Sequence, residues 1–317
     1  MSYFCGALIV ASLVFAPAAA LACIPTDWTR HEGPVHRDRM FLGLYEAASD
    51  AHVFPTEDGR LAMIYSGDDG GQSAILLAFG QDWTRWETWG VLLGPSRQPS
   101  AIAHKETAFY RRAGPADHRL YFIGYADEGT YGSDIYVARA QALTGPWRVE
   151  PEPIIRRGLT DGRDVRVITS PSVVEHEGEL VMAYLGWNGF EDVTEVWAFT
   201  SRGRMDGASW SDSVATPVPI GMEGQITPRP DGGFVAVATR ETEGGREGLF
   251  AACADDPEGP WTALPDPLLV LANDAWEVDE IIAPSLSFDS GTGAPRLFYT
   301  AAEHARGWRI MMATPTP

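Results

Sequence analysis

The sequence predicts an all-β fold: a five-bladed β-propeller of four-stranded antiparallel blades, its last blade closed by the N-terminal segment. Three observations predict it. A tryptophan-centred pattern occurs five times, as Asp27-Trp28-Thr29-Arg30, Asp82-Trp83-Thr84-Arg85, Gly145-Pro146-Trp147, Ala208-Ser209-Trp210 and Gly259-Pro260-Trp261. Spacings of roughly 50 to 65 residues are those of a repeat built from one supersecondary unit. Between the tryptophans lie matched apolar, β-rich runs entered from turn residues, and helical periodicity is nowhere sustained.

Within each unit the strands follow in order. The innermost begins at segments such as Ala51-His52-Val53-Phe54, Pro171-Ser172-Val173-Val174 and Pro284-Ser285-Leu286-Ser287-Phe288. The second strand is the series Arg60 to Tyr65, Arg119 to Tyr125, Glu179 to Tyr184, Gly233 to Val237 and Arg296 to Thr300. The third is Ser73 to Phe79, Asp134 to Ala140, Val193 to Thr200, Gly248 to Ala254 and Trp308 to Thr314. The segment after each tryptophan makes the outermost strand, so each unit is a four-stranded meander, or blade. The fifth unit ends at Pro317 without such a segment, and the displaced copy at Trp28 is expected to supply it. Chance recurrence of Asp-Trp-Thr-Arg is the alternative.

Residues 1 to 22 are uncharged, contain the apolar stretch Ala7 to Phe15, and end in Ala20-Leu21-Ala22, a small-x-small cleavage signature. They read as a signal peptide that lacks the usual basic start. The stretch is broken by Pro17 and is too short for a transmembrane span. Residues 23 to 317 then form one propeller domain, exported to the periplasm or the exterior. Cleavage leaves Cys23 and Cys253 as the mature cysteines, and a disulfide between them, lipid attachment at Cys23, and neither remain open. The formal net charge of -19 argues against nucleic acid and anionic membranes.

In an antiparallel meander, the start of the first strand and the loop between the second and third lie at one end of the ring, where residues converge on its axis. The five starts read as Asp50-Ala51-His52-Val53, Gln98-Pro99-Ser100-Ala101, Ser170-Pro171-Ser172-Val173, Glu223-Gly224-Gln225-Ile226 and Ala283-Pro284-Ser285-Leu286. Blades one and four alone place a carboxylate there, and two carboxylates in one funnel suit glycoside hydrolysis. The loops add Asp69, Trp187, Arg240 and His304 to the same mouth, and an aromatic face such as Trp187 suits a sugar ring. His52 points down the same channel if the alternation holds, though a lone histidine is more often a packing residue than a metal ligand. Glu175-His176-Glu177-Gly178 reads as a charged hairpin turn.

These residues resemble the five-bladed propeller glycosidases typified by family 43 glycoside hydrolases, within the arabinanase, levansucrase and invertase superfamily. The resemblance covers nearly all of residues 23 to 317. It rests on Leu143-Thr144-Gly145-Pro146-Trp147 and Glu258-Gly259-Pro260-Trp261, similar to the family's Thr-Gly-Pro-Trp turn, and on Glu223-Gly224-Gln225-Ile226, similar to its Glu-Gly-Pro motif. It implies that Asp50 is the general base and Glu223 the general acid of an inverting hydrolase, their carboxyls roughly 6.5 to 9.5 Å apart. The family's third carboxylate, at the start of blade three, meets Ser170-Pro171 here, a departure for which Asp164 or the Asp279-Glu280 pair would have to compensate. The catalytic candidates are therefore Asp50, Glu223 and Asp164. The substrate-binding candidates are His52, Asp69, Gln98, Ser170, Trp187, Arg240, Glu280 and His304, with no metal and no cofactor. The expected protein is a monomeric glycosidase acting on an oligo- or polysaccharide, by resemblance an arabinose- or xylose-containing one. The alternative is a non-catalytic carbohydrate-binding propeller, or an enzyme whose acid and base lie elsewhere in the ring.

Overall fold

A computed structural model of the chain describes residues 23–37, 46–68, 73–94, 102–125, 132–188, 196–216, 222–273, 276–303 and 307–317. Residues 1 to 22, Asp69, Gln98 and His304 lie outside the described residues. Among those described, every helix or strand element is a strand. β1 (Trp28–Arg30) stands apart from its sequence neighbours. The first meander is β2 (Glu46–Pro55), β3 (Leu61–Asp68), β4 (Ser73–Asp82) and β5 (Arg85–Leu93), and the second is β6 (His104–Gly114), β7 (Asp117–Tyr125), β8 (Asp134–Ala140) and β9 (Arg148–Val149). A separate hairpin, β10 (Gly158–Thr160) with β11 (Arg163–Val165), leads into the third, β12 (Val167–His176), β13 (Glu179–Trp187), β14 (Val196–Gly203) and β15 (Val214–Ala215). The fourth is β16 (Met222–Pro228), β17 (Phe234–Glu241) and β18 (Glu247–Ala254), with its outer strand in two pieces on β18, β19 (Thr262–Ala263) and β20 (Leu269–Val270). The fifth is β21 (Glu280–Phe288), β22 (Pro295–Glu303) and β23 (Gly307–Pro315).

The outer edge of β23 is covered by β1, antiparallel, with Trp28 opposite Pro315, Thr29 opposite Thr314 and Arg30 opposite Ala313, while the start of β2 pairs parallel with the start of β23 (Glu46 with Gly307, Ala47 with Trp308) and joins the first and fifth meanders into one sheet. The displaced Asp-Trp-Thr-Arg copy thus gives the fifth meander its fourth strand. The tight turn between β12 and β13 is carried by Glu177 and Gly178, both with positive φ (52° and 81°), which is the hairpin geometry that a Glu-Gly pair permits at its glycine.

Each meander is apolar on both faces, because its central strands alternate between two cores. In β3, Met63 and Tyr65 join a cluster with Phe298, Ile310 and Met312 of the fifth meander, whereas Ala62 and Ile64 join one with Leu120 and Phe122 of the second. In β7 the other face, Tyr121 and Ile123, packs on Val173, Met182 and Phe199 of the third. Third and fourth meet through Val174 and Val181 against Ile226 and Phe250. Fourth and fifth meet through Val237, Leu249 and Ala251 against Ile281, Leu297 and Tyr299. A period of two with both faces buried is the pattern of a sheet sandwiched between sheets.

The N-terminal segment is also pinned by side chains. Glu277, fully buried, accepts from Arg30 Nε at 2.7 Å, Arg30 Nη2 at 3.1 Å, the Tyr299 hydroxyl at 2.7 Å and the Ala272 amide at 3.1 Å. Arg30 Nη2 also donates to the Val270 carbonyl at 2.6 Å. Cys23 is joined to Cys253 of β18 by a disulfide, with Cα atoms 6.4 Å apart, inside the span that disulfides bridge. That bond occupies the sulfur that a lipid would need.

Arg30→Ala takes the Arg30 guanidinium away from the buried Glu277 carboxylate. Removing one partner of a buried pair costs about 3–5 kcal/mol, so thermal denaturation should show a melting temperature lower by roughly 5–15 °C. An unchanged melting temperature would mean that the pair does not hold the strap. Thiol titration of denatured, unreduced protein prepared under oxidising conditions should find neither Cys23 nor Cys253 free.

Candidate functional site

The first strand of every meander breaks register at an equivalent place, and β6 does so a second time between Arg112 and Gly114. The equivalent shifts fall between Ser49 and His52, Glu106 and Phe109, Thr169 and Ser172, Met222 and Gln225, and Ile282 and Ser285. Inside each shift sits one non-glycine residue with a left-handed backbone: Asp50 (φ 53°), Thr107 (49°), Ser170 (53°), Glu223 (45°) and Ala283 (48°). A bulge of this kind re-aims a side chain out of the strand's alternation, and a left-handed non-glycine residue costs on the order of 1 kcal/mol or more. All five residues line a single cavity together with Pro171, Gly224, Gln225 and Pro284, enclosing about 270 Å³ of empty space including its open mouth.

Two of the five slots carry carboxyls, Asp50 and Glu223. The Asp50 amide donates to Thr300 Oγ1 of the fifth meander at 3.1 Å, and the Thr107 amide to Ser66 Oγ of the first at 3.0 Å, so neighbouring sheets hold the bulges in place. The residue after Glu223 must be glycine. A Cβ on Gly224 would lie 1.8 Å from the Val237 carbonyl oxygen, in backbone that cannot give way.

Both carboxyls keep some accessible surface on the cavity wall but are surrounded on nearly all sides by protein. Burial therefore raises the Asp50 pKa to about 6, helped by the negative charge of Glu106 and opposed by hydrogen bonds from the hydroxyls of Ser49, at 2.8 Å, and Ser66. Burial raises Glu223 further, to about 8, followed by the charges of Asp50, Glu280, Glu106 and Glu247. Asp50 loses its proton first, while Glu223 is still neutral, and its charge then holds the proton on Glu223. Between about pH 6 and 8 the cavity presents one ionised and one protonated carboxyl.

Of the other sequence candidates, Ser170 reaches the cavity and Glu280, at the start of β21, acts on Glu223 by its charge. The start of the second inner strand is corrected: β6 begins at His104 and its Thr107 occupies the slot, while Gln98 lies outside the described residues. Asp164 is not brought to the cavity. It lies on the β10–β11 hairpin, two-thirds exposed, paired with Arg166 at 3.1 Å. His52 falls two residues past the bulge, where its ring packs on Phe109 with centroids 4.1 Å apart and meets Gln225 Oε1 at 3.2 Å; burial lowers its pKa to about 4 and keeps it neutral. Trp187 is 8% exposed, so most of its ring is packed in protein rather than offered to a ligand. Arg240 is exposed at the end of β17, its guanidinium 4.0 Å above the Phe250 ring.

Thr107, Glu106 and Tyr125 were not found by sequence reasoning. Glu106 precedes the bulge residue of β6 and accepts from the Tyr125 hydroxyl at 2.8 Å. A signal for Thr107 does exist in the spacing. Asp50, Ser170 and Glu223 stand 11, 10 and 11 residues before Leu61, Leu180 and Phe234 of the second strands, whereas Gln98 stands 22 before Leu120.

No protein-family model and no curated protein sequence matches the chain. Solved structures do match in fold. A glycoside hydrolase superposes with a TM-score of 0.74 at 14% identity over 92% of each chain. The catalytic domain of the Coprinopsis cinerea GH62 α-L-arabinofuranosidase does so at 0.68 and 14%, over 92% of this chain and 98% of that one. A GH43 β-xylosidase/α-arabinofuranosidase from a compost microbial metagenome, in complex with xylotriose, does so at 0.63 and 14%, over 90% and 94%. The structures that resemble this chain include glycoside hydrolases of families 43, 62 and 117, and the likeness is one of fold.

Proposed function

We propose that the chain is an exported inverting glycoside hydrolase. Its five meanders are the blades of a five-bladed ring, β1 closes the last of them, and residues 1 to 22 are the signal peptide that directs it out of the cytoplasm. The observation that carries the reading is the pair Asp50 and Glu223, turned by equivalent bulges of two non-adjacent sheets into one cavity and poised at pKa values of about 6 and 8. Acid–base catalysis works best when each group titrates near the working pH and the two are pushed apart.

In this mechanism ionised Asp50 takes a proton from a water molecule as its oxygen attacks the anomeric carbon. The bond from that carbon to the leaving oxygen breaks, and Glu223 gives its proton to that oxygen. The attacking oxygen enters on the face opposite the leaving group, so configuration inverts. Serine and threonine at the Ser170 and Thr107 slots supply hydroxyls that suit hydrogen bonding to a sugar. Neighbours described as arabinofuranosidases and a β-xylosidase support an arabinose- or xylose-containing glycan as substrate. The wall of carboxyls favours neutral sugars. Ser170 in place of a third axial carboxylate supports a second reading, a propeller that binds glycan without cleaving it.

A panel of aryl and natural glycosides separates the readings. With a glycoside that the native protein cleaves, Glu223→Gln should lower turnover of poor leaving groups by roughly 10²–10⁴ and that of activated aryl leaving groups by much less. Asp50→Asn should lower both by about that range, because water activation is needed whatever departs. Native activity in both variants would exclude the assignment.

The pH profile of turnover should be a bell with limbs near 6 and 8. Stability should carry the same signature. A folded-state pKa raised above the unfolded value of about 4.5 means that folding retains a proton the unfolded chain has lost, so this contribution is complete below pH 4.5 and declines as pH rises through about 8. Glu223→Gln should therefore be more stable than the native chain above pH 8, by about 5 kcal/mol, with the difference closing near pH 4.5. Denaturant unfolding at the two pH values measures it, and an equal difference at both would contradict the raised pKa.

A further inference from the structure

The five meanders repeat one register, so equivalent side chains of their second strands can be compared. Opposite the residue two places beyond each bulge stand Ile64, Tyr121, Ala183, Val237 and Phe298. Each packs toward the following meander, and the four large ones are at most 1% exposed. Ala183, the smallest, keeps accessible surface. The residues just before and just after these face the preceding meander. Those before are Met63, Leu120, Met182, Ala236 and Leu297; those after are Tyr65, Phe122, Tyr184, Ala238 and Tyr299. The three alanines that break these series meet at one place, between the third and fourth meanders. Where the other neighbouring meanders interlock large side chains, this pair leaves a hollow. Ala183, Ala236 and Ala238 line a second cavity, enclosing about 350 Å³ of empty space including its open mouth.

Three residues of that wall, Ser170, Gly224 and Gln225, also line the cavity of Asp50 and Glu223, so the two spaces meet at the bulges of β12 and β16. The wall of the hollow is almost wholly apolar. Two polar side chains at its edge are turned to protein partners: Ser172 Oγ accepts from the Ile226 amide at 3.1 Å, and Gln225 Oε1 lies 3.2 Å from His52 Nδ1. A bare sugar hydroxyl pushed against such a wall gives up its hydrogen bonds to water without replacement, whereas a methyl group gains by leaving water. Building on the proposed acid–base site, we propose that the hollow is a substituent pocket: it takes a methyl-capped group on a hydroxyl of the glycan, a methyl ether or an acetyl ester, and so selects a substituted sugar over a bare one. A whole sugar ring would bring several hydroxyls against the same wall. Clearing three side chains to alanine between close-packed sheets suits a group of a few heavy atoms.

The test has two arms, both on the full mature chain. In the first, alanine methyls are labelled with carbon-13 and the protein is equilibrated with xenon, which enters empty apolar cavities. The Ala183 and Ala236 resonances, identified by their loss in Ala183→Ile and Ala236→Met, should shift with xenon pressure, and resonances that stay still overturn the proposal. In the second, xylose- and arabinose-containing oligosaccharides are compared as matched sets, bare, methyl-etherified and acetylated, by calorimetric Kd and, where cleaved, by kcat/KM. A capped member should be favoured over its bare partner by roughly 10- to 200-fold, and the ether and ester sets show which cap fits. Ala183→Ile and Ala236→Met insert residues that the first meander carries at the same positions, Ile64 and Met63. They should keep or raise the melting temperature and bring the preference to about one. No difference within any set, including no binding to any member, overturns the proposal, as does a preference that survives in the folded, filled variants. Preferential binding without cleavage supports the pocket and sinks the hydrolase reading; cleavage indifferent to the cap sinks the pocket and leaves that reading standing.

Discussion

The structure depends on the two-sided burial of each meander. Met63 and Tyr65 face one neighbour and Ala62 and Ile64 the other, and the same alternation recurs at Leu120 and Phe122 against Tyr121 and Ile123. A sheet that is apolar on both faces cannot stop at the end of a stack without exposing one of them. The cluster that joins Phe298, Ile310 and Met312 of the fifth meander to Met63 and Tyr65 of the first removes that exposed end, and it is the packing that the ring we propose requires. Everything at the site follows from it, since cyclic packing brings the first strands together, and a bulge at the same depth in each turns one side chain toward the same cavity.

That cavity stores free energy against stability. Five left-handed residues that are not glycine each carry backbone strain, and two buried carboxyls are kept closer to neutral than water would leave them. Local rules are broken where function asks for it and obeyed around it. The compensation lies in the surrounding sheets, through the Thr300 and Ser66 hydroxyls that receive bulge amides and through Gly224, whose missing side chain lets β16 lie against Val237. His52 shows the other side of the same arrangement: two residues beyond the bulge the chain has returned to ordinary packing, and a polar ring there is neutral and held by Phe109 and Gln225.

Much of this was legible in the sequence because it rests on periodicity. The tryptophan copies, the second-strand runs and the assignment of Trp28 to the last unit all depend on repetition, and each corresponds to a strand or a strand pairing. Asp50, Ser170 and Glu223 were legible for the same reason, being the residues just before an apolar run, although the strands themselves begin earlier and carry these residues at a bulge. The second inner strand was misplaced because Gln98-Pro99-Ser100 imitates Ser170-Pro171-Ser172 in composition, whereas the true slot, Glu106-Thr107-Ala108, has no proline to mark it. Asp164 misled because a carboxylate close in sequence to Ser170 need not be close in space; the β10–β11 hairpin carries it outward to Arg166. Glu106 was missed because its partner Tyr125 comes from another strand, and no spacing rule announces such a contact.

The closure of the fold and the electrostatics of the site share one short segment. Glu277 binds Arg30 of the N-terminal strand, and three residues later Glu280 begins β21 and acts on Glu223. Immediately after Glu280 the chain is fixed again, because the Ile281 amide donates to Glu247 Oε2 at 2.9 Å, and Glu247 is itself raised in pKa by burial and by the Glu280 charge. The buried pair that holds the N-terminal strap therefore lies three residues from the carboxylate whose charge bears on Glu223. The strand that completes the fifth meander and the carboxylate whose charge bears on Glu223 are thus anchored within four residues of each other.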